Sequence, residues 1–136
     1  MKRRLLLIVA ALSATTMLSA CAPLALACPA IGFVYDAPVA LDVSPAVLGE
    51  GTIAACIGEG CVPAPLPVDS AGHAEMPQAS PYQVGHAIGI QPGTTARVVI
   101  SGVDGTVLRD LEVEIPYTSA GGSCPGPVTF HPVVIS

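Results

Sequence analysis

Basic residues are scarce in this chain of 136 residues, which has 5 lysines and arginines against 10 acidic residues. Nucleic-acid backbones are bound by clusters of Lys and Arg, so we expect no nucleic-acid partner. Tryptophan is absent and aromatic residues make up 4% of the chain, yet hydrophobic residues make up 51%. A chain this hydrophobic is not disordered. Its length predicts one domain.

Long helical patterns are also missing after residue 21. The chain contains 14 glycines and 14 prolines, which interrupt helices. Apolar residues instead alternate with polar ones along 106–115, which predicts a strand with Glu112 and Glu114 on its solvent face. Because a D-G turn separates it from the alternating segment 95–101, the two segments are predicted to form a hairpin.

Other segments extend this β pattern. Further strands are predicted at 31–35, 39–43, 52–57, 64–68, 84–90 and 128–135. A helical turn or two is predicted near Ser44 to Leu48, and segments 62–83 and 117–127, rich in Pro, Gly, Ser and Ala, are predicted to be surface loops. About seven short strands favour an all-β fold, a single immunoglobulin-like two-sheet sandwich, with a small β-barrel as the alternative.

The first twenty residues have the layout of a secretory signal peptide. Lys2, Arg3 and Arg4 precede an apolar run from Leu5 to Leu12, and small or hydroxyl residues follow. A transmembrane helix needs about 20 predominantly apolar residues, and this run is interrupted too early. Residues 1–20 are therefore predicted to be removed.

Leu18-Ser19-Ala20-Cys21 then matches the lipobox of bacterial lipoproteins at every position. The resemblance implies that Cys21 carries a diacylglyceryl group and becomes the N-terminus. Stable membrane anchoring takes two signals, which two acyl chains provide. Residues 21–27 are then a short linker and 28–136 the domain, held at the extracytoplasmic face of the cell membrane.

Ordinary secretion is the alternative. Ala25-Leu26-Ala27 also fits a signal-peptidase site, and cleavage there releases a soluble protein that begins at Cys28. Two further blocks, at 28–32 and 55–65, resemble stretches of uncharacterised small exported lipoproteins of actinobacteria. That resemblance implies a location and no activity.

Removing the leader changes the charge balance further. Arg97 and Arg109 remain against ten carboxylates, and no lysine is left. A basic patch for anionic lipid is thus excluded, so membrane attachment is expected to rest on the lipid at Cys21.

Four cysteines remain under either cleavage, and an even number in an exported chain predicts two disulfides. Four cysteines allow three connectivities, and the sequence leaves them open. We favour Cys56–Cys61, because two glycines give the loop between them the freedom to close. Cys28–Cys124 would then tie the start of the domain to its end.

Motifs that carry chemistry are largely absent. There is no G-x-S-x-G, and S-x-x-K is impossible in a mature chain without lysine. His73 and Glu75 form an H-A-E-M fragment, but Met76 is the one methionine after the leader, and soft-metal sites need several converging ligands. We therefore expect no catalytic residue, metal site or cofactor.

Two functional hypotheses follow. The first is a non-catalytic, lipid-anchored cell-envelope protein, a scaffold or binding module whose loops recognise an envelope protein or a glycan. The alternative is a metal carrier or enzyme that uses His73, Glu75 and His86. Convergence of those side chains in a pocket would favour the second hypothesis.

Overall fold

The computed structural model describes residues 28, 32–83 and 89–136. Within them the chain forms nine short strands and one helical turn. The elements are β1 (Val39–Val43), α1 (Pro45–Leu48), β2 (Thr52–Ile57), β3 (Ala64–Leu66), β4 (His73–Met76), β5 (Thr95–Ser101), β6 (Val107–Glu114), β7 (Tyr117–Ser119), β8 (Val128–Phe130) and β9 (Val133–Ile135).

Seven of these strands form the two sheets of a sandwich. The three-stranded sheet has the order β4-β1-β9, and the four-stranded sheet has the order β3-β2-β5-β6. β1 pairs antiparallel with β4 and parallel with β9, while every pair in the four-stranded sheet is antiparallel. The predicted all-β sandwich is confirmed, and in the described part of the chain the sheets do not close into the alternative barrel.

Alternation along each strand builds the core. In β5 every second residue is buried, and in β1 the burial pattern is equally regular. Side chains at every second position of a strand point to the same face, so these residues meet between the sheets. The buried cluster comprises Val39, Leu41, Val43, Ile53, Ala55, Ile57, Leu66, Ala74, Met76, Ile90, Ala96, Val98, Ile100, Ile115, Val133 and Ile135.

The remaining two strands, β7 and β8, form an antiparallel ribbon at one end of the sandwich. β7 follows β6 after Pro116, and β8 precedes β9 across Pro132. A proline has no N–H to donate to a ladder. The N–H of His131 still donates to the carbonyl of Pro116 at 2.9 Å. Beyond this hydrogen bond the two chain segments separate. The segment that precedes Pro116 is β6 of the four-stranded sheet, and the segment that follows Pro132 is β9 of the three-stranded sheet.

Several local predictions are confirmed. The hairpin over 95–101 and 106–115 is β5 and β6, with a bulge near Ser101, and Glu112 and Glu114 are exposed on its outer face. Strands occupy 39–43 and 52–57, and the helical turn lies at Pro45–Leu48. The predicted strand at 128–135 is two strands, because Pro132 interrupts it.

Other local predictions are wrong. Of the predicted strand 31–35, residue 31 lies outside the described residues, and 32–35 form no strand, because Tyr35 is held by single contacts with two separate segments rather than by a ladder. The strand predicted at 64–68 is present as β3 but ends at Leu66, and the predicted loop 62–83 also contains β4. The predicted loop 117–127 begins with β7. β4 is a strand in which two alternating apolar residues are buried. An alternation over only four residues is too short to predict a strand reliably from the sequence. Of the predicted strand 84–90, residues 84–88 lie outside the described residues, and 89–90 form no strand.

Candidate functional site

Both predicted disulfides are confirmed. Cys28 and Cys124 are bridged with their Cα atoms 5.3 Å apart, and Cys56 and Cys61 are bridged with their Cα atoms 5.9 Å apart. The second bridge closes the loop between β2 and β3, and Cys56 is fully buried. All four sulfur atoms are therefore withdrawn from redox and metal chemistry while the bridges are intact.

A large concave surface lies at the end of the sandwich where β5 begins. We call it the end cleft, and it has a volume of about 1240 Å³. The described residues that line it belong to four segments, 32–35, 57–62, 89–94 and 125–128, together with Gln83. The N–H of Gly58 donates to the Thr95 carbonyl at 2.8 Å, which fixes the disulfide loop against the start of β5.

Tyr35 holds three of these segments together. Its hydroxyl accepts a hydrogen bond from the N–H of Val128 at 2.7 Å, and its carbonyl accepts one from the N–H of Ile90 at 3.2 Å. Its ring meets the ring of Phe130 edge-on, with 5.1 Å between centroids. Edge-to-face aromatic pairs and a partnered hydroxyl are stabilising. Tyr35 therefore shapes one wall of the end cleft.

The chemically distinctive histidine is His73, on the exposed face of the three-stranded sheet. It lies directly across from Asp42 of β1 in the strand register. Its Nδ1 donates to Oδ1 of Asp42 at 2.5 Å. The two side chains are 62% and 38% exposed, so water reaches the pair.

Asp69 completes the surroundings of His73. One oxygen of its carboxylate accepts the backbone N–H groups of Ala71 at 2.8 Å and of His73 at 2.9 Å. These bonds, with that from His73 the strongest, lower the pKa of Asp69. The hydrogen bond to Asp42, the charge of Asp42 and the charge of Asp69 together raise the pKa of His73. The cluster thus favours a protonated imidazole.

Glu75 lies two residues further along β4, on the same face as His73, but its partner across the sheet is Ala40. Asp69, His73 and Glu75 line a shallow, open groove. The described residues contain no group of three or more His, Cys, Asp or Glu side chains placed to hold a metal ion. His86 lies outside the described residues, as does Cys21.

His131 sits elsewhere, beside the ribbon. Its Nε2 lies 3.0 Å from the hydroxyl of Thr118. A catalytic triad joins a nucleophile, a histidine and a carboxylate in one chain of hydrogen bonds. Here His73 contacts a carboxylate and His131 contacts a hydroxyl. The carboxylate contact and the hydroxyl contact that a triad needs on one histidine are therefore made by two different histidines.

The contributions of Asp42 and Tyr35 were missed at the sequence level. Asp42 is 31 residues from His73, and Tyr35 is 93 residues from Val128. Asp42 occupies an outward position of an alternating strand. This position predicts that its side chain faces solvent, but it does not identify a hydrogen-bond partner. No local signal in the sequence pairs β1 with β4.

Comparison with known proteins gives no relative: no protein-family model, curated protein or solved structure matches this chain. In the part of the chain that the structure describes, no helix has the length and apolar character needed to cross a bilayer.

Proposed function

We propose that the protein is a non-catalytic, lipid-anchored component of the cell envelope, in which the β-sandwich is a scaffold or binding module at the extracytoplasmic face of the membrane. The anchor is the diacylglyceryl group expected on Cys21 of the lipobox 18–21. Its partner is an envelope protein or a glycan, and no nucleic acid is bound. The alternative location is outside the cell, after cleavage at Ala27.

The Cys28–Cys124 bridge is the observation that carries this proposal. Disulfides persist in exported proteins and are rare in the reducing cytosol. Six residues lie between Cys21 and Cys28, and the chain from one cysteine to the other spans at most about 25 Å when fully extended. Because Cys28 is fixed to Cys124, the lipid would hold the adjacent end cleft, lined by Pro125 and Gly126, within that distance of the membrane.

The arrangement of the histidines supports the absence of catalysis. A histidine base works when its second nitrogen reaches a nucleophile or a substrate proton. Among the described residues, the hydrogen bond of the His73 ring is to Asp42, and both side chains are open to water. The cysteine sulfurs in this range are in disulfides, so they supply no nucleophile.

Cell fractionation tests the anchor. We expect Cys21→Ala to move the protein out of the membrane fraction and to leave its N-terminal peptide without the mass of a lipid. Cys28→Ala is the matched control, since it removes a neighbouring cysteine and leaves the lipobox intact, so its N-terminal peptide should keep the lipid. Unchanged membrane retention and unchanged N-terminal mass in Cys21→Ala would overturn the proposal. An N-terminus at Cys28 would establish secretion instead.

Metal binding at His73 is a second candidate function, and the hydrogen bond to Asp42 is the observation that favours it. Metal-ligating histidines commonly donate their other ring nitrogen to a carboxylate, which orients the ring, and a metal here would have to displace the proton that Asp42 and Asp69 favour on the imidazole. The test is metal content after brief exposure to zinc or copper and passage through a desalting column. A stoichiometric metal that is lost in His73→Ala or His86→Ala would replace the first proposal, whereas no retained metal would remove this one.

A further inference from the structure

The β6 strand forms an open edge of the four-stranded sheet. It is eight residues long and pairs with β5 on one side, and no described strand pairs with its other side. The opposite edge strand, β3, has three residues and includes Pro65, which cannot donate a ladder hydrogen bond. An exposed edge of this length is a template for another strand.

The backbone groups that face outward on β6 follow from the ladder. The N–H of Ile115 donates to the Thr94 carbonyl at 2.9 Å, so this residue bonds toward β5. In an antiparallel pair the direction of bonding alternates with each residue. The N–H and C=O groups of Asp110, Glu112 and Glu114 therefore point to the open side.

The side chains of those same residues give the edge its charge. Asp110 is bound by Arg97, whose Nε and Nη2 donate to the two carboxylate oxygens at 2.9 and 2.7 Å. Glu112 accepts a single bond from the Thr95 hydroxyl, and Glu114 is exposed. Neither glutamate forms a salt bridge within the described part of the chain, and Arg97, which lies across from Glu112, is already bound by Asp110. Three carboxylates therefore face one guanidinium on the outer face of the edge, which leaves this face with a net negative charge.

The inner face of the same edge carries two apolar side chains, Leu111 and Val113, next to Arg109. Leu111 and Val113 lie opposite buried residues of β5 and are themselves half-buried. A strand added alongside β6 would place every second side chain next to Leu111 and Val113 on the inner face. Its other side chains would lie next to the glutamates on the outer face.

A second copy of the chain does not fit this edge. In a symmetric antiparallel pair of β6 strands, residues that face each other lie on the same side of the sheet. With the two-fold axis at Glu112, Glu112 would face its own copy and Asp110 would face Glu114 of the other chain, and like charges in directly opposite positions are destabilising. The edge therefore selects a different chain of opposite charge.

We propose that the free edge of β6 binds an extended segment of another envelope protein, in which basic residues alternate with apolar ones, as a fifth strand of the sheet. Main-chain hydrogen bonds supply affinity in this mode, and side chains at alternate positions supply specificity. The inference names a partner for the proposed binding module. It does not depend on the lipid, so the failure of one proposal leaves the other intact.

The test uses the full-length protein and a synthetic eight-residue peptide of alternating lysine and valine. We expect the peptide to shift the backbone amide resonances of Asp110, Glu112 and Glu114. Glu112→Gln/Glu114→Gln should weaken binding about three- to tenfold, since each cross-strand charge pair contributes modestly. The matched control is Asp36→Asn/Glu50→Gln, which removes the same charge from two exposed residues elsewhere and should bind normally.

A peptide of the same sequence, N-methylated at every second residue, separates strand addition from charge attraction. This peptide keeps the lysines but loses the N–H groups along one of its own edges, so it cannot form the main-chain hydrogen bonds to β6 and its binding should disappear. Equal binding of the methylated peptide, or equal weakening in both double variants, would show non-specific charge attraction and overturn the proposal. No binding of the unmodified peptide, or self-association through β6, would overturn it as well.

Discussion

Breaking the Cys28–Cys124 bridge should destabilise the domain more than breaking the Cys56–Cys61 bridge. The bridged residues are separated by 96 positions in the first case and by 5 in the second. In the chain-entropy model a disulfide restricts the unfolded state in proportion to the logarithm of the loop that it closes. The long loop is then worth about 4.7 kcal/mol of unfolding free energy and the short loop about 2 kcal/mol.

The loss of buried surface adds to the unfolding free energy lost at one bridge more than at the other. Cys28 is exposed and Cys124 is half-buried, so alanines there remove little buried surface. Cys56 is fully buried, so Cys56→Ala also removes one buried atom, at a cost of about 1 kcal/mol. The expected losses are about 4.7 kcal/mol for the long bridge and about 3 kcal/mol for the short one.

Urea denaturation of the wild type, Cys28→Ala/Cys124→Ala and Cys56→Ala/Cys61→Ala measures both losses. The long-bridge variant should also show a steeper dependence of the unfolding free energy on urea, because its unfolded chain expands more and exposes more surface. If the short-bridge variant lost as much stability as the long-bridge variant, the assignment of the larger effect to loop entropy would be refuted.

Two further predictions concern single residues of the three-stranded sheet and its turns. The pKa of His73 is raised in the folded state by its contact with Asp42, so this contact should stabilise the fold fully below pH 6.5, the ordinary pKa of the imidazole. The stabilisation should be lost as pH rises through the pKa of His73 in the folded state. An NMR titration of His73 should show a lower pKa in Asp42→Asn. Gly72→Ala should lower the Tm more than Gly93→Ala: both positions have positive φ, which costs an alanine about 1–2 kcal/mol, but a Cβ at Gly72 also overlaps the Val43 carbonyl oxygen, whereas Gly93 has open space around it. Equal Tm losses would refute the overlap argument.

Much of the fold is predictable because the two-residue alternation is local. β5 shows it over seven residues, and the D-G turn fixes where the chain reverses. The disulfide pairs are a weaker case, since three connectivities were open and the choice depended on the glycines between Cys56 and Cys61. Both chosen pairs formed.

The surroundings of His73 are not predictable in the same way. Its hydrogen bond depends on β1 and β4 becoming neighbours, and that pairing follows from the packing of the whole core and not from residues 73–76. The four-residue strand lies in a segment rich in Pro, Gly, Ser and Ala, so composition indicated a loop. Ala74 and Met76 carry the contrary signal, and both are buried.

The parallel pairing of β1 with β9 imposes an order on folding. Leu41 faces Val133 across this pair, so the middle strand of the three-stranded sheet keeps one side open until residues 133–135 are available. Contacts between such distant residues slow the search for the native topology. A chain synthesised from its N-terminus therefore cannot complete this sheet until Ile135 is available. The Asp42–His73 contact thus lies on a sheet that is among the last parts of the domain to form all its strand pairs.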